Sequence, residues 1–289
     1  MATGSAGGRF RAAMEAERPL QVVGAVNAFC GLLAEQAGFR ALYLSGAGVA
    51  NASFGLPDLG LTSRNDVVEE TRRITGVTQI PLLVDADTGW GDALGIARTV
   101  RELTRAGAAG MHLEDQIASK RCGHRPGKAL VSAGEMAARI KAALDGRFDG
   151  EFLLVARTDA LAVEGLSAAV DRACCYVEAG ADLIFAEAVT ELDHYRAFAK
   201  AVGVPILANL TEFGRTPLWT IAELAHVGVQ VVLYPLTAFR AMSDAAQRTY
   251  QTLRRCGTQR DLLPELQTRD ELYRVLNYQA CEKRLDDDR

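Results

Sequence analysis

The sequence lacks paired cysteines, long apolar runs and a strong excess of charge, and each absence excludes a class of protein. Its six cysteines in 289 residues form no Cys-x-x-Cys pair, so we expect reduced thiols and a cytoplasmic location. No apolar run reaches the roughly 20 residues that a membrane span requires. A net charge of −4 offers no general attraction for nucleic acid or an anionic membrane.

The beginning of the chain has weak signals for both targeting and helix formation. Arg9 and Arg11 stand in a stretch without acids, as in some targeting segments. However, Gly4, Gly7 and Gly8 disfavour a helix there, because glycine loses the most backbone freedom on folding. We therefore expect neither a targeting segment nor a helix.

Short apolar runs alternate with longer segments of helical spacing. Such runs, apolar without alternation, are typical of strands buried on both faces of a parallel sheet. We predict strands at Gln21–Val26, Ala41–Ser45, Pro81–Asp85, Gly110–Leu113, Phe152–Ala156, Asp182–Ala186, Pro205–Ala208 and Val231–Tyr234. Predicted helices include Ala93–Ala106, Ala133–Leu144, Leu166–Ala179, Trp219–Ala225, Ala238–Arg255 and Arg269–Glu282.

Eight strand-then-helix units in fewer than 300 residues favour a (β/α)8 barrel over an open sheet. The glycines Gly107, Gly180 and Gly228 each follow a helix and are expected to turn the chain into the next strand. We predict one catalytic domain over residues 1–289, with the barrel at about 20–240 and a helical extension at about 241–289.

A barrel of this kind carries its chemistry at the carboxyl ends of the strands. The predicted ends are unusually polar, which indicates a site for a metal ion and a carboxylate substrate. The residues are Ser45, Asp85, Asp87, His112, Glu114, Arg157, Asp159, Glu187, Asn209 and Thr211.

The third predicted strand ends in Asp85 and Asp87, whose side chains point to the same side of an extended chain. Carboxylate oxygens suit Mg²⁺, which takes few protein ligands and keeps several waters. Asp58 and Glu114 are candidates to hold those waters, and His112 is expected on the same side as Glu114. Alternatively, Asp87 caps the next helix.

The segment from Lys120 to Lys128 follows the fourth strand and holds four cations around Cys122 and His124. Its Gly and Pro residues indicate a loop. We expect the cations to lower the pKa of the thiol and to bind a substrate with several carboxylates. A solvated basic loop is the alternative. Arg157 is expected to grip a carboxylate, or else to pair with Asp159.

The loop Lys120-Arg121-Cys122-Gly123-His124 resembles the signature loop of the isocitrate lyase and phosphoenolpyruvate mutase superfamily. Further matching blocks extend over nearly the whole chain. They are Tyr43–Gly46, Leu56–Asp58, Asp85 with Asp87, Leu207–Gly214, Tyr234–Leu236, Ala238–Met242 and Gln267–Tyr273. Together they are most similar to the branch that cleaves 2-methylisocitrate to pyruvate and succinate in the methylcitrate cycle of propionate catabolism.

The resemblance implies an α/β barrel, Mg²⁺ (with Mn²⁺ as a substitute), a small tricarboxylate substrate, and a homotetramer whose subunits exchange a C-terminal helix. It assigns the metal to Asp85 and Asp87, and the carbon acid to Cys122, with Tyr43 or a Glu as the base. Implied substrate contacts are Ser45, Gly46, Ala47, Gly123, His124, Arg157, Glu187, Asn209, Leu210, Thr211, Arg240 and Arg269. Ala47 departs from the glycine-rich pattern of the superfamily, although Gly46 and Gly48 remain.

Within this superfamily, Phe185 and Leu233 would leave an apolar niche for the methyl group of the substrate. The alternatives are isocitrate lyase proper, dimethylmalate lyase, oxaloacetate decarboxylase and phosphoenolpyruvate mutase. The length of the chain disfavours the first, and Cys122 in a basic loop disfavours the last two. A barrel that binds carboxylates without catalysis is the alternative from another class, and the set of Asp85, Asp87, Cys122 and Arg157 disfavours it.

Overall fold

Eight parallel strands pair in chain order and close into a barrel in the computed structural model, which describes residues 4–287. Pairing of Val22 with Leu233 joins the first strand to the last. The strands are β1 (Leu20–Gly24), β2 (Ala41–Leu44), β3 (Leu82–Asp85), β4 (Gly110–Glu114), β5 (Leu153–Thr158), β6 (Leu183–Ala186), β7 (Ile206–Asn209) and β8 (Val231–Tyr234). The (β/α)8 prediction is confirmed, and all eight strands lie within two residues of their predicted bounds.

Helices surround the barrel and continue beyond it. They are α1 (Ala6–Ala16), α2 (Ala28–Gln36), α3 (Gly46–Gly48), α4 (Arg64–Thr75), α5 (Ala93–Arg105), α6 (Ala133–Gly146), α7 (Leu161–Glu164), α8 (Leu166–Glu178), α9 (Leu192–Ala201), α10 (Ile221–His226), α11 (Thr237–Cys256), α12 (Arg269–Val275) and α13 (Tyr278–Asp287). Val49–Ser53 forms a π-helical turn and Arg260–Glu265 a 3-10 helix. Between residues 4 and 287, no helix is both long and apolar enough to cross a membrane.

The core has two layers because the strands are apolar on both faces. Alternate side chains such as Leu83 and Leu153 fill the inside of the barrel. Their neighbours, such as Val84 and Leu154, pack outward against the helices. Burial on both faces explains the absence of alternation in the sequence. The polar residues therefore concentrate where the strands end.

The predicted absence of a helix at the beginning of the chain is wrong. Ser5 caps α1 by accepting a hydrogen bond from the amide of Gly8, and Phe10 and Ala13 join the apolar cluster inside the barrel. A Cβ on Gly7 would lie 2.0 Å from the carbonyl oxygen of Glu151, so glycine is required for this close approach. Tertiary packing outweighs the poor helix propensity of the glycines.

The three glycines after helices adopt left-handed φ angles of 89°, 108° and 90° at Gly107, Gly180 and Gly228, as predicted. The prediction of one helix from Arg269 to Glu282 is wrong. Asn277 has a φ of 52°, which breaks the segment into α12 and α13. Asparagine tolerates this conformation better than most residues, so it permits the break.

Two glycines of α6 provide a matched test of the packing. Replacing a helical glycine with alanine ordinarily stabilises by about 0.5–1 kcal/mol. In Gly146→Ala, however, the new Cβ would lie 2.3 Å from the carbonyl oxygen of Ala97 on α5, whereas at Gly134 the nearest atom is 4.0 Å away. We expect Gly146→Ala to lower the free energy of unfolding by about 1–3 kcal/mol in urea titrations. Gly134→Ala should leave it unchanged or raise it, and a stabilised Gly146→Ala would contradict the described contact between α5 and α6.

Candidate active site

A cavity of about 70 Å³ opens at the carboxyl ends of the strands, where the sequence predicts the site. Strand ends and the loop after β4 enclose it. Its lining consists of Tyr43, Ser45, Ala47, Asp58, Asp85, Lys120, Cys122, Gly123, His124, Arg157, Phe185, Glu187, Asn209, Thr211, Pro235 and Leu236. Most of the predicted site residues therefore lie together, although they come from six of the eight strand ends.

Asp85 and Asp87 bring two carboxylates to one point. Asp85 Oδ2 accepts a hydrogen bond from the amide of Gly46 at 3.0 Å. A Cβ on Gly46 would lie 3.2 Å from Asp85 Oδ2 and 3.4 Å from Asp87 Oδ1, so both oxygens border the same small space. Asp87 has a left-handed φ of 46°, and the cap of α5 is Asp92. Asp87 is therefore not a helix cap.

Lys120 neutralises part of this negative charge. Its buried Nζ lies 2.6 Å from Asp87 Oδ1 and 2.5 Å from Asp58 Oδ1. Burial and the neighbouring Asp85 raise the pKa of Asp87 to about 6. For Asp85, burial is outweighed by His112, Lys120 and Arg157, which hold its pKa below the usual value. One ammonium group is thus insufficient to offset both aspartates.

The donor atoms around this space fit a hard divalent cation. Glu114 is fully buried beside the aspartates, and its burial raises its pKa well above the usual value. Its Oε1 has no hydrogen-bond partner among the described residues, while Oε2 lies 3.3 Å from Arg157 Nη1. No cluster of three metal-ligating side chains occurs within residues 4–287. An ion here would take few protein oxygens and fill its shell with water or substrate, as Mg²⁺ does.

His112 links the phenol of Tyr43 to Asp85. Its Nε2 lies 2.8 Å from Tyr43 Oη and 3.3 Å from Asp85 Oδ1. Burial lowers the pKa of His112 to about 4, so the ring is neutral at pH 7. Burial, with a further contribution from Asp85, raises the pKa of Tyr43 well above its usual value. Tyr43 is therefore a protonated phenol in this structure.

Arg157 both lines the cavity and pairs with acids. Its Nε donates to Asp159 Oδ2 at 3.0 Å, and its guanidinium lies over the ring of Phe185, 5.3 Å from the centroid. Pairing with Asp159, one of the two roles considered from the sequence, therefore still leaves Arg157 in the cavity lining, where the other role, binding of a substrate carboxylate, would require it. Glu187 lies 3.9 Å from Arg157 and 2.7 Å from His124 Nε2. Since His124 Nδ1 accepts from the amide of Arg215, Nε2 carries the proton that faces Glu187.

The prediction that the loop cations lower the pKa of Cys122 is wrong. Lys120 pairs with aspartates, Lys128 is buried against Asp159, and Arg121 and Arg125 are exposed. Only Lys120 of the four lines the cavity. Burial is the main influence on Cys122 and raises its pKa. The thiol is therefore the resting form.

Several predicted contacts are not in the cavity lining. Leu210 and Leu233 are buried in the core, and Leu233 lies with Phe185 in the cluster inside the barrel. Arg240 lies 3.4 Å from Glu212 and stacks over Phe213. Arg269 is exposed at the start of α12. Leu233 faces the inside of the barrel but is buried below the cavity, whereas Arg240 on α11 pairs with Glu212 and Arg269 on α12 faces solvent.

The sequence interpretation did not single out Lys120 as a partner of Asp58, or Lys128 as a buried residue. Pro235 and Leu236, which follow β8, were not assigned to the site either, yet they line the cavity. No sequence signal distinguishes a buried lysine in a loop from a solvated one. For Asp159 the sequence did carry a signal that it belongs to the site. It follows Arg157 by two residues, just as Asp87 follows Asp85.

The pH dependence of Cys122 alkylation tests the direction of its pKa shift. A thiol reacts as the thiolate, so the rate rises with pH through the pKa. We expect the midpoint for Cys122 above the value of about 8.5 of a free cysteine peptide. Iodoacetamide labelling followed by mass spectrometry of the Cys122 peptide measures this rate, and a cysteine peptide is the reference. A midpoint below that of the peptide would instead support the prediction that the loop cations lower the pKa of Cys122.

Comparison with known proteins gives one consistent relationship. The family model described as phosphoenolpyruvate phosphomutase matches residues 10–254. A protein of Shewanella oneidensis named 2-methylisocitrate lyase is 59% identical over 98% of this chain and 97% of its own.

Solved structures show the same relationship. A 2,3-dimethylmalate lyase has a TM-score of 0.90 and 32% identity over 97% of this chain and 94% of its own. A phosphonopyruvate hydrolase solved with oxalate and Mg²⁺ has a TM-score of 0.84 and 30% identity over 97% and 98% of the two chains. The chain therefore belongs to the phosphoenolpyruvate phosphomutase family.

Proposed function

We propose that this protein is a Mg²⁺-dependent carbon–carbon lyase that cleaves 2-methylisocitrate to pyruvate and succinate, a step of the methylcitrate cycle. The observation that carries the proposal is that one cavity is lined by a thiol, Arg157 and Asp85, with Asp87 converging on Asp85 beside it. The 59% identity to a protein named 2-methylisocitrate lyase supports this substrate over 2,3-dimethylmalate, whose lyase is 32% identical. Free cysteines in the described chain support a cytoplasmic location.

The charge balance of the barrel mouth supports the need for a cation. Six carboxylates meet there: Asp58, Asp85, Asp87, Glu114, Asp159 and Glu187. Among residues 4–287, the lysines and arginines that pair with them are three: Lys120, Lys128 and Arg157. A tricarboxylate would meet strong repulsion without additional positive charge.

Asp85 and Asp87 would hold Mg²⁺, with Mn²⁺ as a substitute, and Asp58 and Glu114 would orient its waters. A bound ion would supply Lewis-acid polarisation to the oxygens in the half of the substrate that becomes pyruvate. These four residues supply only oxygen donors, in keeping with a hard cation. Lys120, which already pairs with Asp87 and Asp58, holds both carboxylates in place.

The chain's own residues carry the two proton transfers. A base removes the proton of the substrate hydroxyl, the carbon–carbon bond breaks, and its electron pair passes into the carboxylate of the leaving fragment. The Cys122 thiol then donates its proton to the carbon of that fragment, which gives succinate. Arg157 stabilises the charge on the fragment before the proton arrives. The raised pKa of Cys122 suits this donor role.

Tyr43 is the proposed base, but its resting phenol must first lose a proton. Additional positive charge beside Asp85 would lower the pKa of this phenol. The hydrogen bond between His112 Nε2 and Tyr43 Oη fixes the orientation of the phenol hydroxyl. A Glu remains the alternative base, and Glu187 is the glutamate among the residues that line the cavity.

Phe185 supports discrimination in favour of the methylated substrate. Its side chain lines the cavity under Arg157, whereas Leu233 backs it from inside the barrel. Contact with one methyl group is worth about 1–3 kcal/mol. Isocitrate should therefore be a poor substrate and not an inert one.

A homotetramer with exchanged helices is also proposed. In the part of the chain that the structure describes, no side chain of α11 is buried, although the helix carries Met242, Tyr250 and Leu253. Phe239 packs against the core, but an amphipathic helix of 20 residues that leaves Met242, Tyr250 and Leu253 exposed is typical of an assembly surface. We expect light scattering after gel filtration to give about four times the mass of 31.0 kDa, and a monomer mass would contradict this.

Keto-acid release is the direct test of the proposed activity. We expect purified protein with Mg²⁺ to release pyruvate from 2-methylisocitrate at least about tenfold faster than glyoxylate from isocitrate, because one methyl contact gives about 10–200-fold discrimination. Removal of divalent ions with a chelator should abolish both reactions. Equal rates with the two substrates would refute the proposed preference.

Cys122→Ser tests whether the thiol is the acid that protonates the carbon of the leaving fragment. Serine is a far weaker acid, so we expect the turnover number to fall by about 10²-fold or more. Cys174→Ser is the matched control, because Cys174 lies on α8 away from the cavity. Retained full activity in Cys122→Ser would exclude the thiol as the proton donor.

A further inference from the structure

One buried carboxylate, Asp159, connects the loop that carries Cys122 to the rest of the barrel mouth. Its side chain is 0% exposed. Oδ1 accepts from Lys128 Nζ at 2.7 Å, and Oδ2 accepts from Gln116 Nε2 at 3.2 Å. Both donors belong to the segment between β4 and α6. Asp159 itself lies just after β5, on the rigid strand layer.

The two donors hold the residues on either side of Cys122. Gln116 donates to the carbonyl of Arg121 and accepts from its amide, both at 2.9 Å. Lys128 donates to the carbonyl of Gly123 at 2.5 Å. The backbone immediately before and after the thiol is thus tied through two side chains to one carboxylate.

The same carboxylate holds Arg157. Arg157 Nε lies 3.0 Å from Asp159 Oδ2, and Arg157 Nη2 lies 3.3 Å from Oδ1. Gly123 is so close that a Cβ on it would lie 2.5 Å from Arg157 Nη2. Asp159 therefore contacts the arginine directly with both carboxylate oxygens and holds the loop on both sides of Cys122.

Asp159 is itself fixed from below. Its amide donates to Asp115 Oδ1 at 2.9 Å, and Asp115 Oδ2 accepts from Thr158 and from Tyr176, both at 2.8 Å. All of these groups are buried. A fully satisfied buried network restricts its members to one arrangement.

We propose that Asp159 is a positioning residue that sets the thiol of Cys122 against Arg157, and that Lys128 is its connection to the loop. Asp159 does not line the cavity, so it acts only through the residues it holds. The role follows from the proposed function, in which Cys122 delivers a proton to a fragment that Arg157 stabilises. Displacement of the thiol by about 1 Å is enough to cost about 10²-fold in rate.

Two variants test separately the connection of Asp159 to the loop through Lys128 and its connection to Arg157. Lys128→Met keeps the volume but removes the tie to Gly123, and it leaves the bonds between Asp159 and Arg157 intact. We expect a lower turnover number, by about 10–10²-fold, with KM changed less than about threefold. Asp159→Asn also weakens the hold on Arg157, so we expect both a lower turnover number and a raised KM.

Alkylation of Cys122 gives a readout that does not need the substrate. If the loop loses its tie, Cys122 should react with iodoacetamide at least about tenfold faster in Lys128→Met than in the unaltered protein, because access rises. Labelling of Cys174, which lies on α8, is the internal reference and should not change. Lys141→Met, at an exposed position of α6, is the matched charge control and should resemble the unaltered protein.

The outcomes distinguish the two proposals. Absence of lyase activity in the unaltered protein would refute the proposed function, while the alkylation result would still decide whether Lys128 and Asp159 hold the loop. Unchanged alkylation and turnover in a folded Lys128→Met would overturn the positioning role. Should that variant not fold, Gln116→Ala removes the other tie, at Arg121, and the same faster alkylation is required of it.

Discussion

Six carboxylates share the mouth of the barrel with three cations, and the rest of the site depends on how this charge is distributed. Burying an anion is costly unless it is paired or its pKa rises. The structure contains both solutions. Asp85 and Glu187 have lowered pKa values, whereas Asp87 and Glu114 have raised ones.

This distribution divides the mouth into two parts. Beside β3, Lys120 pairs with Asp58 and Asp87 and leaves carboxylate oxygens directed at a shared space. Beside β5, Arg157 and Lys128 converge on Asp159. The first part offers oxygen donors that suit a hard cation, and in the second part Arg157 is the cation that lines the cavity. Cys122 lines the same cavity as Asp85 and Arg157, in a loop whose own cations are paired with carboxylates or exposed.

The apolar layers make such a concentration of charge possible. Inward-facing side chains fill the barrel below the site, and α1 closes the opposite end with Phe10. Phe185 and Tyr43 form the boundary, since both belong to the inner apolar cluster and both line the cavity. A dry floor strengthens every electrostatic interaction above it. The stability of the barrel and the chemistry at its mouth therefore share the same residues.

The sequence alone determined the barrel, because the short apolar runs of the strands, the helical spacing between them and the helix-ending glycines are local properties of each segment. It also determined that Asp85, Asp87, Glu114, Arg157, Glu187 and Asn209 meet, since parallel strands end at one edge. Only the tertiary structure decided the partners of the charges. Whether Lys120 and Lys128 face solvent or carboxylates, whether Cys122 is acidic or not, and whether Arg240 and Arg269 reach the cavity depend on distances between segments far apart in the chain. Glycines in α1 illustrate the same limit, because the contact of Gly7 with Glu151 outweighs their intrinsic preference.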